Sequence, residues 1–235
     1  MRADTTGVRW LATFPPLAIA LLMLGGGLTP GGLDHPVIGL HTALSELAIA
    51  SVHPGQVYLS SALVILGLAA LGVSFVVIAV LAGAPASRVA TWAAAIGALG
   101  CLSGIVINVL FGIGLAGAAA ASVTRGDAAR ILVSTGTAPG SVLFLVVYLA
   151  GILVAGILTG IALWQRRTVP RWIAAGFPVA LALGAAAPPG LMNVVLSLPF
   201  ALIMVLLAVR IWRAGSLAPA DPPPALAGAV RVTPA

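Results

Sequence analysis

The sequence predicts an all-α, polytopic membrane protein with six transmembrane helices and both termini cytoplasmic. Three observations predict it. The first is composition: of 235 residues, 61% are hydrophobic and 7% charged, with a mean hydropathy of +1.18. Soluble domains are far more polar. The second is six apolar stretches, at 10–29, 57–83, 89–118, 141–164, 172–188 and 190–211. Each reaches or approaches the length of about 20 residues that a helix needs to cross the hydrocarbon core. The third is arginine, which supplies all eleven basic residues. With a cytoplasmic N-terminus, Arg2, Arg9, Arg88, Arg166, Arg167, Arg171, Arg210, Arg213 and Arg231 lie inside, and only Arg125 and Arg130 outside. That asymmetry follows the positive-inside rule. Trp10, Trp92, Trp164, Trp172 and Trp212 all fall at the cytoplasmic ends of their segments, where headgroups favour amphipathic rings. The protein is expected in the cell membrane, in contact with its lipids. The net charge of +6 is explained by topology, so no nucleic acid is expected as a partner. The all-arginine, alanine- and glycine-rich composition fits coding bias in a GC-rich genome of actinobacterial type.

The elements follow in chain order. Arg2 and Arg9 precede the first apolar segment, and no A-x-A-like site follows it directly, so it reads as an uncleaved signal-anchor. Pro15 and Pro16 should kink it near its start. The next stretch, 31–55, is too polar to span. Pro36 suits a first helical turn, Asp34 or His35 could cap it, and Pro54-Gly55 would stop it. An amphipathic helix on the outer face is therefore expected near 36–52. In the third segment Gly100 and Gly104 are four apart, and in the fourth Gly156 and Gly160 are too. Small-xxx-small spacing lets helix backbones approach closely. Between these segments "RGDAAR" at 125–130 reads as a solvated helix start. The fifth segment is short, and "APPG" at 187–190 turns it into the sixth as a helical hairpin. Residues 1–212 form the transmembrane domain. The proline- and alanine-rich residues 213–235 are expected to be a disordered cytoplasmic tail.

Titratable side chains are few and gathered. All three histidines (His35, His41, His53) and two of the five acids (Asp34, Glu46) lie between 34 and 53. On a helix these residues, with Thr42 and Ser45, fall in one sector of about 140°. The opposite arc holds Val37, Leu40, Ala43, Leu44, Leu47 and Ala50. Two readings stay open. The helix lies on the outer membrane surface, or its polar face closes over a site between the helices. Polar residues within the spans bear on the second: Ser60, Ser61, Asn108, Tyr148, Asn193 and Ser197 sit in outer halves, and the inner halves carry little beyond Ser74 and Thr159. Polar groups in lipid must find partners and often mark pockets. The candidate ligand-binding residues are therefore Ser45, Asn108, Tyr148, Asn193 and Ser197.

The stretch "LTPGGLDHPVIGLHTALSELA" resembles the six-helix bacterial and archaeal membrane family known as domain-of-unknown-function family 998. That family has a first span, an outer loop with a proline, a helix carrying Ser-Asp/Glu-Leu, and five further spans. The matching positions are Pro30, Ser45, Glu46 and Leu47. The resemblance covers about residues 10–212 and implies the six-span architecture and a focus at Ser45-Glu46, without a reaction.

Several chemistries can be weighed. His35 and His53 are about 27 Å apart along a continuous helix, and no H-x-x-x-H or H-E-x-x-H spacing occurs, so no metal site is expected. No histidine lies inside a span, which disfavours haem, and no cofactor is expected. Cys101 is alone, without a disulfide or C-x-x-C partner. His41 and Glu46 lie about 140° apart on a helix, which disfavours a Ser-His-acid set from Ser45, His41 and Glu46. The catalytic candidates are Glu46 as general acid or base with His35, Asp34 or His41. They suit a membrane hydrolase, isomerase or cyclase acting on a small apolar or lipidic substrate. A carrier for a small neutral or lipidic substrate is a further alternative. The leading expectation is an integral membrane protein with a polar outer-face site that binds lipid or a partner protein. Whether it is an enzyme stays open.

Overall fold

The computed structural model describes residues 10–30, 33, 39–84, 86–121, 123–213 and the helical backbone to 216. Every element among them is helical: α1 (Phe14–Leu28), α2 (Leu40–Val52), α3 (Pro54–Leu81), α4 (Arg88–Asn108), a π-helical segment (Val109–Ile113), α5 (Gly114–Ala120), α6 (Arg125–Thr137), α7 (Pro139–Arg166), α8 (Arg171–Ala185) and α9 (Leu191–Ser216). Four stretches are long and apolar enough to cross a membrane: Pro54–Leu81, Arg88–Ala120, Pro139–Arg166 and Leu191–Arg213. The first and fifth expected spans form helices of only 15 residues, α1 and α8. Each rises about 22 Å, less than the hydrocarbon thickness of about 30 Å.

Local chemistry sets the ends. Pro15 and Pro16 occupy the first turn of α1, where their missing N–H groups are orphans in any helix, so they start the helix instead of kinking it. Pro54 and Pro139 do the same for α3 and α7. Thr124 caps α6: its hydroxyl donates to the Asp127 carboxylate at 2.6 Å and accepts from the Asp127 N–H at 3.2 Å. "RGDAAR" is thus a helix start. Helix α9 runs past the expected boundary at 212 to Ser216. The rest of the expected tail, from 217, lies outside the described residues, as do Asp34, His35 and Pro36.

Six helices close a ring in chain order. α1 packs on α3, α3 on α4, α4 on α7, α7 on α8, α8 on α9, and α9 returns to α1. Glycine makes the tightest crossings. A Cβ on Gly25 would stand 2.9 Å from the Val64 nitrogen, and one on Gly100 would stand 3.1 Å from the Ile152 nitrogen. A Cβ on Gly160 would meet the Ala174 carbonyl oxygen at 2.6 Å. Both small-xxx-small pairs therefore sit at helix contacts, Gly100 and Gly104 between α4 and α7, Gly156 and Gly160 between α7 and α8. With hydrocarbon outside as apolar as the side chains within, such close approach replaces the hydrophobic effect as the adhesive. Phe75, Phe177 and Phe200 meet edge to face with centroids 6.4 and 5.6 Å apart, in one apolar core with Met204 and Leu207.

Helices α2, α5 and α6 cap one end of the ring. Their shared core is built of small residues, Ala43, Ala50, Ala116, Ala128 and Ala129, with Leu33, Leu47, Leu115 and Leu132. The Arg125 guanidinium reaches Ser51 Oγ at 3.4 Å and ties α6 to α2.

Candidate functional site

Between the ring helices and below the cap lies a cavity in two connected chambers. The deeper chamber, about 160 Å³, is walled by apolar side chains such as Ile19, Leu22, Leu68, Leu71, Ile152, Leu181 and Phe200. The shallower chamber, about 320 Å³, reaches from Asn108 and Thr29 to Leu145, Leu149 and Pro189. Gly26, Val64, Tyr148, Ala185, Ala187 and Asn193 line both, so Tyr148 and Asn193 stand at the junction. Phe200 on the deeper wall meets Phe177 edge to face.

Each polar side chain is positioned by a neighbouring glycine or a backbone bond. The Tyr148 ring packs against Gly104, where a Cβ would stand 2.5 Å from Cδ2. The Asn193 carboxamide occupies the space a Cβ on Gly26 would need. The turn after α8 is held by the Gly190 N–H, which donates to the Gly26 carbonyl at 2.9 Å. Gly190 has φ +90°, a conformation glycine adopts without a Cβ penalty. Asn108 Nδ2 donates to the Gly104 carbonyl at 2.9 Å, leaving Oδ1 for other use. Thr29 donates back to the Gly25 carbonyl. Ser197 is buried beside Gly184. Among the described residues neither the Tyr148 hydroxyl nor the Asn193 carboxamide has a protein hydrogen-bond partner, although both border the cavity. Among the described residues every polar group on these walls is uncharged. Such a mostly apolar cavity with a few convergent polar groups has the make-up of a small-molecule site.

Four of the five expected ligand-binding residues, Asn108, Tyr148, Asn193 and Ser197, thus meet at one cavity, although they come from α4, α7 and α9. Ser45 does not. It is exposed on α2, and its hydroxyl donates to the Thr42 carbonyl at 2.8 Å. The catalytic candidates are not gathered either. Helix α2 buries Ala43, Glu46, Leu47 and Ala50, while His41 and His53 are exposed. The described titratable residues, His41, Glu46 and His53, therefore do not share one face. Glu46 is fully enclosed in the cap at 0% exposure and is engaged there, away from the cavity walls. Leu40 and Leu44, expected on the apolar arc, are exposed at 48% and 37%. The buried arc is centred nearer Ala43 and Ala50 because small residues let α2 lie close on α5 and α6. Asp34 and His35 lie outside the described residues. Among the described residues no three His, Cys, Asp or Glu side chains cluster.

Two features of the site had weak signals in the sequence. Gly26 lies in "GGG" at 25–27 and reads there as composition bias, yet it seats Asn193. Leu33 belongs both to the cap core and to the cavity wall, so it couples the two. No family model, curated protein or solved structure matches the chain.

Proposed function

We propose that this chain is a six-span integral membrane protein of the cell membrane, with cytoplasmic termini, that binds a small molecule in the cavity under its outward cap. The observation that carries the reading is the convergence of Asn108, Tyr148 and Asn193 on one cavity in a bundle otherwise packed with apolar side chains. A polar group placed in lipid needs a partner, and the Tyr148 hydroxyl and Asn193 carboxamide find none among the described protein groups. A bound molecule supplies one. Six spans are supported by the closed ring, in which the short helices α1 and α8 hold places equal to the four long ones. Orientation is supported by arginine. Arg88, Arg166, Arg167, Arg171, Arg210 and Arg213 stand at the uncapped end, and Arg125 and Arg130 at the capped end. Membership of the six-span family that the Ser45-Glu46-Leu47 triplet resembles is part of the same proposal. In this reading Glu46 and Leu47 anchor the cap and Ser45 faces outward.

The test is native mass spectrometry of the purified protein with extraction of what it retains. The wild type should carry a defined molecule that Tyr148→Phe and Asn193→Ala lose at equal yield and equal melting temperature. Identical retention by all three would overturn the reading.

A further inference from the structure

We propose that the cavity takes an uncharged, single-chain lipid with a hydroxyl or carbonyl headgroup, admitted sideways from the membrane between α7 and the α8–α9 turn. The inference rests on the binding function proposed above and names its ligand and its route.

Access decides the route. Leu33 of the cap core and Phe111 line the shallower chamber, and Phe200 of the phenylalanine cluster lines the deeper one. The exposed side of the shallower chamber is lateral. Helix α7 has 28 residues and α8 only 15. Their contact runs through Gly156 and Gly160 in the second half of α7. The first half is left without that neighbour: Leu143, Val146 and Leu149 are exposed at 61%, 55% and 45%. Leu149 is both exposed there and part of the cavity wall, facing Ala187 and Pro189 across the shallower chamber. The rim is therefore apolar and opens at the depth of the membrane, not into water. A ligand using it must already be dissolved in the lipid.

The lining decides the class. Among the described residues no Arg, Asp, Glu or His borders either chamber, so these walls offer a phosphate or carboxylate head no counter-charge, which is strongly disfavoured away from water. Asn108 and Asn193 carboxamides and the Tyr148 hydroxyl each present donors and acceptors, matching a hydroxyl, ester or ketone. Beyond them the deeper chamber offers only hydrocarbon and Ser197 for the start of a chain. The volumes of about 160 and 320 Å³ suit one chain with a compact head, and the remainder of the chain can leave through the opening between Leu149 and Pro189.

The test uses the full chain in nanodiscs with two probes that differ only by a phosphate group, 1-oleoylglycerol and 1-oleoyl-lysophosphatidate. Occupancy is read by native mass spectrometry and exchange by the rate at which isotope-labelled 1-oleoylglycerol replaces the unlabelled form. 1-Oleoylglycerol should be retained at least tenfold better than its phosphorylated counterpart. Tyr148→Phe with Asn193→Ala should cut that retention about tenfold, the sum of two lost hydrogen bonds. Leu149→Trp, which fills the rim without touching the polar groups, should slow exchange severalfold and leave equilibrium occupancy unchanged. Preference for lysophosphatidate that still depends on Tyr148 and Asn193 would overturn the ligand class and leave the binding function standing. Unchanged exchange in Leu149→Trp would overturn the lateral route alone. Retention indifferent to the Tyr148 and Asn193 variants, with equal melting, would overturn the binding function and this inference together.

Discussion

A fully enclosed carboxyl is costly, and Glu46 is the one charged side chain among the buried residues described. It shares the inward arc of α2 with Ala43, Leu47 and Ala50, while His41, five residues earlier, is exposed. The contrast yields a prediction. Glu46→Ala removes an engaged side chain from a core of small residues and leaves both a void and unpaired neighbours. Each such loss costs about 1–3 kcal/mol, or several degrees of melting temperature for a chain of this size. His41→Ala should stay within about 0.5 kcal/mol of wild type, as exposed positions do. Thermal melting in detergent checks both. If the two variants melt alike, Glu46 does not hold the cap. A one-face reading of the 34–53 cluster misses this division because the helical wheel orders side chains by polarity. Here the deciding quantity was size: alanines on α5 and α6 leave room for the longer Glu46 chain.

At the scale of the element, glycine decides where helices touch. Gly160 in α7 faces the Ala174 carbonyl so closely that an added methyl would stand 2.6 Å from it. Gly126 in α6 has nothing within 4 Å of the same position. Gly160→Ala should therefore force α7 and α8 apart and cost about 1–3 kcal/mol. Gly126→Ala should be neutral or stabilise by up to about 1 kcal/mol through helix propensity alone. Equal melting of the two variants would show that the crossing is not close. The π-helical segment Val109–Ile113 makes a second prediction at this scale. A π turn amounts to one extra residue in an α-helix, and here it seats Gly112 against Ser61 and carries on to α5. Deleting Leu110 would close the π turn to a regular α turn, and because a single π turn absorbs its extra residue, α5 would keep its phase and Leu115 and Ala116 would stay in the cap core. Protease sensitivity of the α5–α6 connection should therefore match the wild type; a rise would show that the segment is regular α-helix, which the deletion turns by about 100°. Four-residue glycine spacing was readable in the sequence at both pairs. The π turn was not, because nothing in "VLFGI" departs from an ordinary apolar helix.

For the whole molecule, hydropathy was enough to locate every ring helix, since burial in lipid leaves no alternative to helices satisfying their own backbone. It could not show that α1 and α8 are short, because "GGGLTP" and "GAAAPP" read as apolar as the helices they end. That shortness matters: it is what leaves the first half of α7 uncovered beside Tyr148. The cavity itself was legible only as a bias of polar residues toward one set of helix ends. The proposed orientation rests on the same ends. The capped end holds Arg125 and Arg130, and the uncapped end holds six described arginines, with Arg171 stacked 5.4 Å over the Trp164 ring where headgroups would lie. Moving that many cations across a membrane opposes the positive-inside preference. Cysteine accessibility tests it without altering the arginines. In a Cys101→Ser background, which removes the only cysteine, Val123→Cys marks the capped end and Ala86→Cys the α3–α4 turn. Both positions are exposed. A membrane-impermeant maleimide added to intact cells should label Val123→Cys at once and Ala86→Cys only after permeabilisation. The opposite pattern would put the cap inside, and the cavity's lateral opening would then face the inner leaflet and its lipids.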